Sequence, residues 1–398
     1  MLRVGVQKMN AYPEVRNIIE KLPNASYVEI KDRYAKIIHL KKKLRSYNKL
    51  KKIFKSKLYP TLKELYSFKT NKTEDVDLIH LFNSISYGNE NWGVTFETIV
   101  PCHNKEKTLN FLQKSDDEYI RTKLLKEIKI LASDKCKFII AISNSTFEIQ
   151  KKMVSFYPKY EKIILNKMHV LHPAQEVYLE QYSKPNINLG INFMFVGSEF
   201  FCKGGIEILN VFEKIKDKYK NFSLILVGSL DRLNGRSILS KKEKERFIKI
   251  INSNKQRIKY YHQLPNKEVL KLMKNTAHVG LLPTHADTYG YSVLEFQSTG
   301  CPVISSNLRS LNEINNDDCG WLIEVPKSNL GEAFSFTPLE IENIQNIIED
   351  QLKTFFINIL EKPEIIKTKG EKSLDRIRKN HSPKEFSETL AKMYNFVK

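Results

Sequence analysis

The sequence is short of cysteine, of long apolar runs and of familiar phosphate or metal signatures. Its five cysteines, Cys102, Cys136, Cys202, Cys301 and Cys319, are scattered, odd in number and never spaced as Cys-x-x-Cys. That pattern argues against a disulfide framework or a cysteine zinc site and fits a reducing cytoplasm. No stretch approaches the roughly 18 consecutive apolar residues that a membrane-spanning helix needs. The start, Met1-Leu2-Arg3-Val4-Gly5-Val6-Gln7, lacks a signal peptide's longer apolar region and reads as a first strand. Neither a Gly-x4-Gly-Lys-Ser/Thr loop nor a Gly-x-Gly-x-x-Gly turn occurs, which argues against a P-loop enzyme and a dinucleotide oxidoreductase. No His, Asp or Glu cluster has metal-ligand spacing. Asp75-Val76-Asp77 matches Asp-x-Asp literally, but it precedes its strand and reads as a turn and strand start. Asp317-Asp318 before Gly320 reads as a turn. Internal repeats and low-complexity tracts are also missing.

What is present is length and positive charge. The 398 residues suffice for two domains, and 41% hydrophobic residues can fill a core in each. The net charge of +20 favours anionic partners: nucleic acid, acidic lipid or a phosphorylated substrate. The stretch 41–57 holds Lys41, Lys42, Lys43, Arg45, Lys49, Lys51, Lys52, Lys55 and Lys57 without an acid. Tyr47, Leu50, Phe54 and Leu58 are interleaved at near-helical spacing. Two readings of residues 41–58 stand: a basic amphipathic helix on an anionic membrane surface, or a solvated helix covering the first domain with one face.

Strand-like and helix-like segments alternate, which predicts an α/β class with parallel sheets. In the first half, 76–82, 93–100, 137–143 and 168–172 read as strands, and Asn144, Ser145 and Thr146 cap a helix from about Phe147. The loop-like Tyr182-Ser183-Lys184-Pro185-Asn186 marks a boundary. Beyond it the rhythm is regular. Strands are expected at 193–196, 222–228, 258–261, 279–282 and 300–306, with helices from Gly205, over 240–252, from Asn266 and over 291–299. The last helix, about Ser382–Val397, is amphipathic.

Two Gly-punctuated strand-to-helix turns carry the chemistry. The first reads Gly197-Ser198-Glu199-Phe200-Phe201-Cys202-Lys203-Gly204-Gly205, the second Pro283-Thr284-His285-Ala286-Asp287-Thr288-Tyr289-Gly290-Tyr291. A lysine at a strand mouth before two glycines offers a point charge and exposed N–H groups, a combination that suits a diphosphate. With no metal signature, Lys203 is the candidate charge stabiliser. Asp287 and Glu295 are eight residues apart around a helix start and can point into one crevice. Carboxylates there can accept hydrogen bonds from sugar hydroxyls. The plainer reading makes Asp287 a cap and Glu295 a surface residue, yet Glu295 stands between Leu294 and Phe296. His262 and Gln263 follow the 258–261 strand and either face the same crevice, toward a base, or sit in solvent.

These residues resemble a known family. The order Phe195-Val196-Gly197…Lys203-Gly204-Gly205, Asp287…Glu295, Gly300-Cys301-Pro302-Val303 and Glu313…Gly320-Trp321-Leu322 is similar to the C-terminal domain of GT-B glycosyltransferases of family 4. The first half resembles the family loosely, at Ile139-Ile140-Ala141-Ile142-Ser143 and Val170-Leu171-His172-Pro173. The resemblance implies two Rossmann-like, doubly wound domains facing a central cleft: 1–183 on the acceptor side, 184–370 on the nucleotide-sugar side, and 371–398 returning to the first. It implies a retaining hexosyltransferase that needs no cofactor and no metal. The donor would be a UDP- or GDP-linked sugar and the acceptor a glycan or glycolipid of surface-polysaccharide assembly. The setting would be cytoplasmic, with residues 41–58 at the inner face of the membrane and no nucleic-acid partner. By position, Lys203 binds the diphosphate, assisted by N–H groups near Tyr289, Gly290 and Tyr291. Asp287 holds the donor sugar and Glu295 the ribose. Gly197, Ser198 and His262 complete the donor pocket.

Several positions depart from the family pattern. Asp287 replaces a glutamate and is one methylene shorter. Ser198 stands where a basic residue is common, which leaves Arg309 or a first-domain residue to help Lys203. Glu97, or His103, stands in for a family histidine, and no glycine-rich loop follows the first strand. Rival readings are a relative with hydrolytic or phosphorylase chemistry, a basic nucleic-acid-binding protein on a Rossmann scaffold, and a non-catalytic glycan-binding module.

Overall fold

The computed structural model describes residues 1–33, 37, 40, 67–70, 75–102, 109, 112, 118–231, 240–333 and 337–395. The basic stretch 41–58 and His103 lie outside the described residues. The chain forms two units, Met1–Ala174 with Pro383–Lys398, and Gln175–Ser382. The divisions thus fall after Ala174 and Ser382, where sequence reading places them near 183 and 371.

The first unit is built on β1 (Leu2–Val6), β2 (Ala25–Glu29), β4 (Leu78–Phe82), β6 (Trp92–Phe96), β7 (Cys136–Ala141) and β8 (Met168–Val170). They form one sheet in the order β2-β1-β4-β6-β7-β8, and every pair is parallel. β4 and β6 are buried at every residue, as expected for strands covered on both faces. Helix α1 (Tyr12–Asn17) follows β1, and α2 (Glu118–Ala132), α3 (Asn144–Val154) and α4 (Pro158–Leu165) fall between β6 and β8. Short strands β3 (Ser67–Phe68) and β5 (Ile85–Ser86) pair separately.

Two expected boundaries move. α3 starts at Asn144 rather than near Phe147, because the Ser143 hydroxyl accepts the Thr146 N–H at 3.1 Å and acts as the cap. β6 stops at Phe96 rather than near 100, and the Glu97 N–H is taken by Asn83 Oδ1 at 3.1 Å. Asp75 and Asp77 both face Arg3, through an ion pair at 3.6 Å and a backbone hydrogen bond at 2.8 Å.

The last helix, α12 (Pro383–Asn395), packs in the first unit. Phe386, Leu390, Met393 and Tyr394 recur at helical spacing and join the core made by Val4, Val6, Leu78, Phe138 and Ile140. A polar tie crosses this core. His80 on β4 contacts the Tyr394 hydroxyl at 2.6 Å through Nδ1 and the Thr95 hydroxyl at 2.8 Å through Nε2. Burial pushes the His80 imidazole down to a pKa of about 3.

A pH effect on stability follows. The folded chain keeps His80 neutral, whereas the unfolded chain protonates it below the ordinary imidazole value of 6.5. Stability from this group is present above 6.5 and is lost as pH falls toward about 3, at up to about 1.4 kcal/mol per pH unit. Urea unfolding of the wild type and of His80→Gln between pH 7 and pH 4 measures it. The wild type should show the extra loss of stability as pH falls, and the variant should not.

The second unit repeats the pattern with β9 (Ile191–Glu199), β10 (Phe222–Ser229), β11 (Ile258–Tyr261), β12 (Val279–Leu282), β13 (Val303–Ser306) and β14 (Gly320–Ile323). The order is β11-β10-β9-β12-β13-β14, all parallel. Helices α5 (Gly205–Ile215), α6 (Lys241–Ser253), α7 (Asn266–Asn275), α8 (Tyr291–Ser298) and α9 (Leu311–Ile314) connect successive strands. Two long helices, α10 (Pro338–Glu361) and α11 (Ile365–Asn380), close the unit. Phe356 of α10 stacks on Phe193 of β9 at 3.9 Å between ring centroids.

The strand order sets the site. From β9 the chain builds outward through β10 and β11, then returns to lay β12 on the other side of β9. The crevice beyond the carboxyl ends of β9 and β12 is therefore the topological switch point, the place where open α/β sheets receive ligands.

Candidate functional site

Both Gly-punctuated turns open at this switch point. After β9 a 3-10 turn, Phe201–Lys203, leads to Gly204 at φ +92° and then to α5. A Cβ on Gly204 would lie 2.2 Å from the Pro283 carbonyl oxygen, so α5 starts backbone against backbone on the turn after β12. Gly290, at φ +90°, opens α8, and a Cβ there would lie 2.4 Å from Leu311. Only glycine lets these two helix starts come so near their neighbours.

Lys203 and Asp287 meet across the crevice. Lys203 Nζ donates to Asp287 Oδ2 at 2.6 Å. The lysine side chain is 23% exposed and the aspartate 11%, so the pair sits at the mouth rather than in the core. Asp287 Oδ1 accepts the Tyr289 N–H at 3.1 Å, and the Gly290 N–H also stabilises the carboxylate. Burial opposes the charge on Asp287, but Lys203 and these amides outweigh it and hold the carboxyl below its usual range. Burial likewise opposes the charge on Lys203, and Asp287 reverses that and raises its pKa.

Glu295 lies in α8, the helix that follows the Asp287 turn, and is buried. Its Oε1 accepts from Asn266 Nδ2 at 3.1 Å, so the start of α7, just past the loop after β11, reaches it. His262 opens that same loop. It is exposed, with Nδ1 3.3 Å from the Tyr260 hydroxyl, and β10 stands between its strand and β9. Tyr289 is buried and its ring lies 5.0 Å from that of the half-buried Tyr291. Gly197 and Ser198 lie at the end of β9, and the Ser198 side is exposed.

One expected helper of Lys203 is engaged elsewhere in the second unit, and Glu97 lies in the first. Arg309 does not assist Lys203: its guanidinium donates to Glu332 Oε1 at 2.6 Å and is almost fully buried. Glu97 belongs to the first unit, just past β6, where its carbonyl accepts from the Thr146 hydroxyl at 3.1 Å. The amides near Tyr289 and Gly290, expected to face a phosphate, are turned to Asp287.

Sequence reading missed the layer beneath. His285 Nε2 contacts Glu207 Oε1 at 2.8 Å, and both side chains are buried. Burial disfavours the imidazolium, yet Glu207 outweighs it and raises the His285 pKa. Hydroxyls fix the same loop: Ser306 donates to the Thr284 carbonyl at 2.7 Å and Ser310 to the Thr288 carbonyl at 2.8 Å. Polar residues inside apolar surroundings were the available signal, but nothing in the sequence paired Glu207 with His285 across 78 positions.

Among the described residues no group of three or more His, Cys, Asp or Glu side chains could hold a metal ion. No described helix is long and apolar enough to cross a membrane.

Comparison with known proteins covers the stretch that carries these turns. Residues 183–335 match the family described as glycosyl transferases group 1. The capsular polysaccharide biosynthesis glycosyltransferase CapH of Staphylococcus aureus is 26% identical over 212 residues, which are 52% of this chain and 53% of CapH. The match thus spans about half the length of that curated relative. A glycosyltransferase from Rickettsia africae superposes with a TM-score of 0.58 at 13% identity, over 100% of this chain and 98% of its own. Anabaena Alr3699/HepE, solved in complex with UDP, gives 0.58 at 10% identity over 99% and 100%. At such identities the structures establish the fold. The stretch 183–335 is thus similar to the glycosyl transferases group 1, and the two parallel-sheet units have the GT-B fold.

Proposed function

We propose that this chain is a retaining glycosyltransferase. It would move a hexose from a nucleoside diphosphate donor to a glycan or glycolipid acceptor, without a metal, in surface-polysaccharide assembly. The Lys203–Asp287 pair at the β9/β12 switch point is the observation that carries this reading. CapH, a capsular polysaccharide glycosyltransferase, and HepE, solved with UDP, support the donor and pathway class. The chemistry is cytoplasmic, and contact with the inner face of the membrane is assigned to 41–58.

The mechanism follows from charge. When the glycosidic bond breaks, the departing diphosphate gains negative charge. Lys203 and the start of α5 stand where that charge develops, so they stabilise the transition state more than the ground state. The ammonium takes the role a divalent cation would otherwise fill. Lys203 is neutralised by Asp287 at 2.6 Å. A diphosphate replaces Asp287 as its counter-ion, and the released carboxylate accepts from hydroxyls of the donor sugar. Glu295, one turn into α8, holds the ribose hydroxyls, and Asn266 keeps it oriented. Gly197, Ser198 and Tyr291 line the path, His262 stands toward the base, and Glu97 serves the acceptor side.

Glu295→Ala tests the reading. UDP or GDP should raise the wild-type melting temperature by binding linkage. The variant should keep the ligand-free melting temperature, lose that ligand-induced rise and lose sugar transfer. Full transfer by Glu295→Ala, or tight nucleic-acid binding abolished by neutralising Lys49, Lys51, Lys52 and Lys55, would favour a rival.

A further inference from the structure

The buried pair beneath the site has no place in the reading above, on which the following inference rests. We propose that His285 and Glu207 form a charge-dependent brace that positions Asp287 for the donor, so that donor binding follows the charge on His285. The two residues sit at fixed offsets from the working groups. Glu207 lies in the first turn of α5, four residues past Lys203. His285 lies two residues before Asp287 in the turn after β12. Their contact at 2.8 Å therefore joins the element that carries the ammonium to the element that carries the carboxylate.

The pair is built to depend on charge. Glu207 is fully buried, and its Oε2 has no hydrogen-bond partner. A buried carboxylate with one oxygen unsatisfied is stable only beside a positive charge. Glu207 is the charged group acting on His285 from α5. From the turns on either side, Lys203 and Asp287 face each other and cancel. β13 brings only the Ser306 hydroxyl, which holds the Thr284 carbonyl at 2.7 Å. When His285 loses its proton, Glu207 becomes an uncompensated anion below a site meant for diphosphate. The Pro283–Asp287 turn then loses its charged contact with α5. Both effects weaken the donor, so affinity falls on the alkaline side.

His285 is a positioning residue in this account, and its test needs a readout that plain structural support would not move. The imidazole is followed by NMR titration in the wild type, in Glu207→Gln and in the double variant Glu207→Gln/His285→Gln, where the His285 signal disappears and identifies itself. UDP and GDP binding is measured by calorimetry from about pH 6 to about pH 9. In the wild type His285 should titrate above 6.5, and nucleotide affinity should fall at least tenfold through that pH. In Glu207→Gln the titration should drop below 6.5, because burial then acts alone. The alkaline affinity limb should vanish in this variant, because no buried carboxylate is left uncompensated and no charged contact is lost. The double variant, an uncharged pair of similar shape, should bind with a flat profile, and it carries the test if the single variant does not fold. Wild type and Glu207→Gln sharing one affinity profile while the imidazole titration moves would overturn the brace and leave the donor reading intact. Failure of the wild type to bind either nucleotide at every pH would overturn both.

Discussion

Lys203→Ala should lower sugar transfer by about 10²–10³-fold in kcat, the loss typical of removing one preorganised group from a developing anion. The fold should persist. Lys203 sits at the mouth of the crevice, and Asp287 keeps the Tyr289 and Gly290 amides when its ammonium is gone. Nucleotide affinity should fall as well, for two reasons. The attraction to the diphosphate is lost, and Asp287 is left as an unmatched anion facing it. The second reason predicts a recovery. Lys203→Ala/Asp287→Asn should bind UDP or GDP more tightly than Lys203→Ala, because the repulsion is gone. It should not regain turnover, because nothing then stabilises the leaving group. Calorimetry and single-turnover kinetics on the two variants separate these effects. Equal affinity in both would show that Asp287 does not face the diphosphate.

Gly204→Ala should destabilise the protein by about 3 kcal/mol, from a left-handed conformation that costs roughly 1–2 kcal/mol for a non-glycine residue and overpacking worth about 1–3 kcal/mol. The structural cause is specific. The new methyl would sit 2.2 Å from the Pro283 carbonyl oxygen, a backbone atom that cannot swing aside. α5 and the turn after β12 would have to part, and Lys203 would leave Asp287 with them. Gly197→Ala is the control. Its methyl would meet the Phe195 ring at 2.9 Å and the flexible Lys203 side chain at 3.0 Å, and its backbone has an ordinary φ. Urea unfolding should move the midpoint strongly for Gly204→Ala and weakly for Gly197→Ala, with the slope unchanged. An unmoved midpoint for Gly204→Ala would contradict the close helix approach that shapes the site.

Much of the second unit was legible because its strands are continuous apolar runs and its turns are marked by glycine. The runs at 193–196, 222–228, 258–261 and 279–282 all lie in strands, and α8 begins one residue past Gly290. The resemblance to glycosyl transferases group 1 rests on those same turns, and the match over 183–335 and the GT-B fold bear it out. What could not be read was set by long-range contact. β14 is short, and its Gly320-Trp321-Leu322 was read as a motif rather than a strand. α10 and α11 follow the last motif, so no strand rhythm announced them. β2 carries a half-buried pattern, Ala25–Glu29, without a clear apolar run.

The site shows the same division. Lys203 and Asp287 were legible as types at turns, but not that they would neutralise each other. Asp287 reads as a cap or as a ligand from sequence. In the structure it caps two amides and faces Lys203 at once, since its two oxygens do different work. Arg309 looked like a free cation by position, and only Glu332 across the fold shows where its charge goes. His285 and Glu207 were invisible as a pair, because one stands after β12 and the other in α5.

A crystal structure with UDP or GDP bound tests the central claim most directly. The diphosphate should lie against Lys203 and the start of α5, the Lys203–Asp287 contact should open, and the ribose hydroxyls should reach Glu295. A nucleotide bound elsewhere, with Lys203 still 2.6 Å from Asp287, would contradict it.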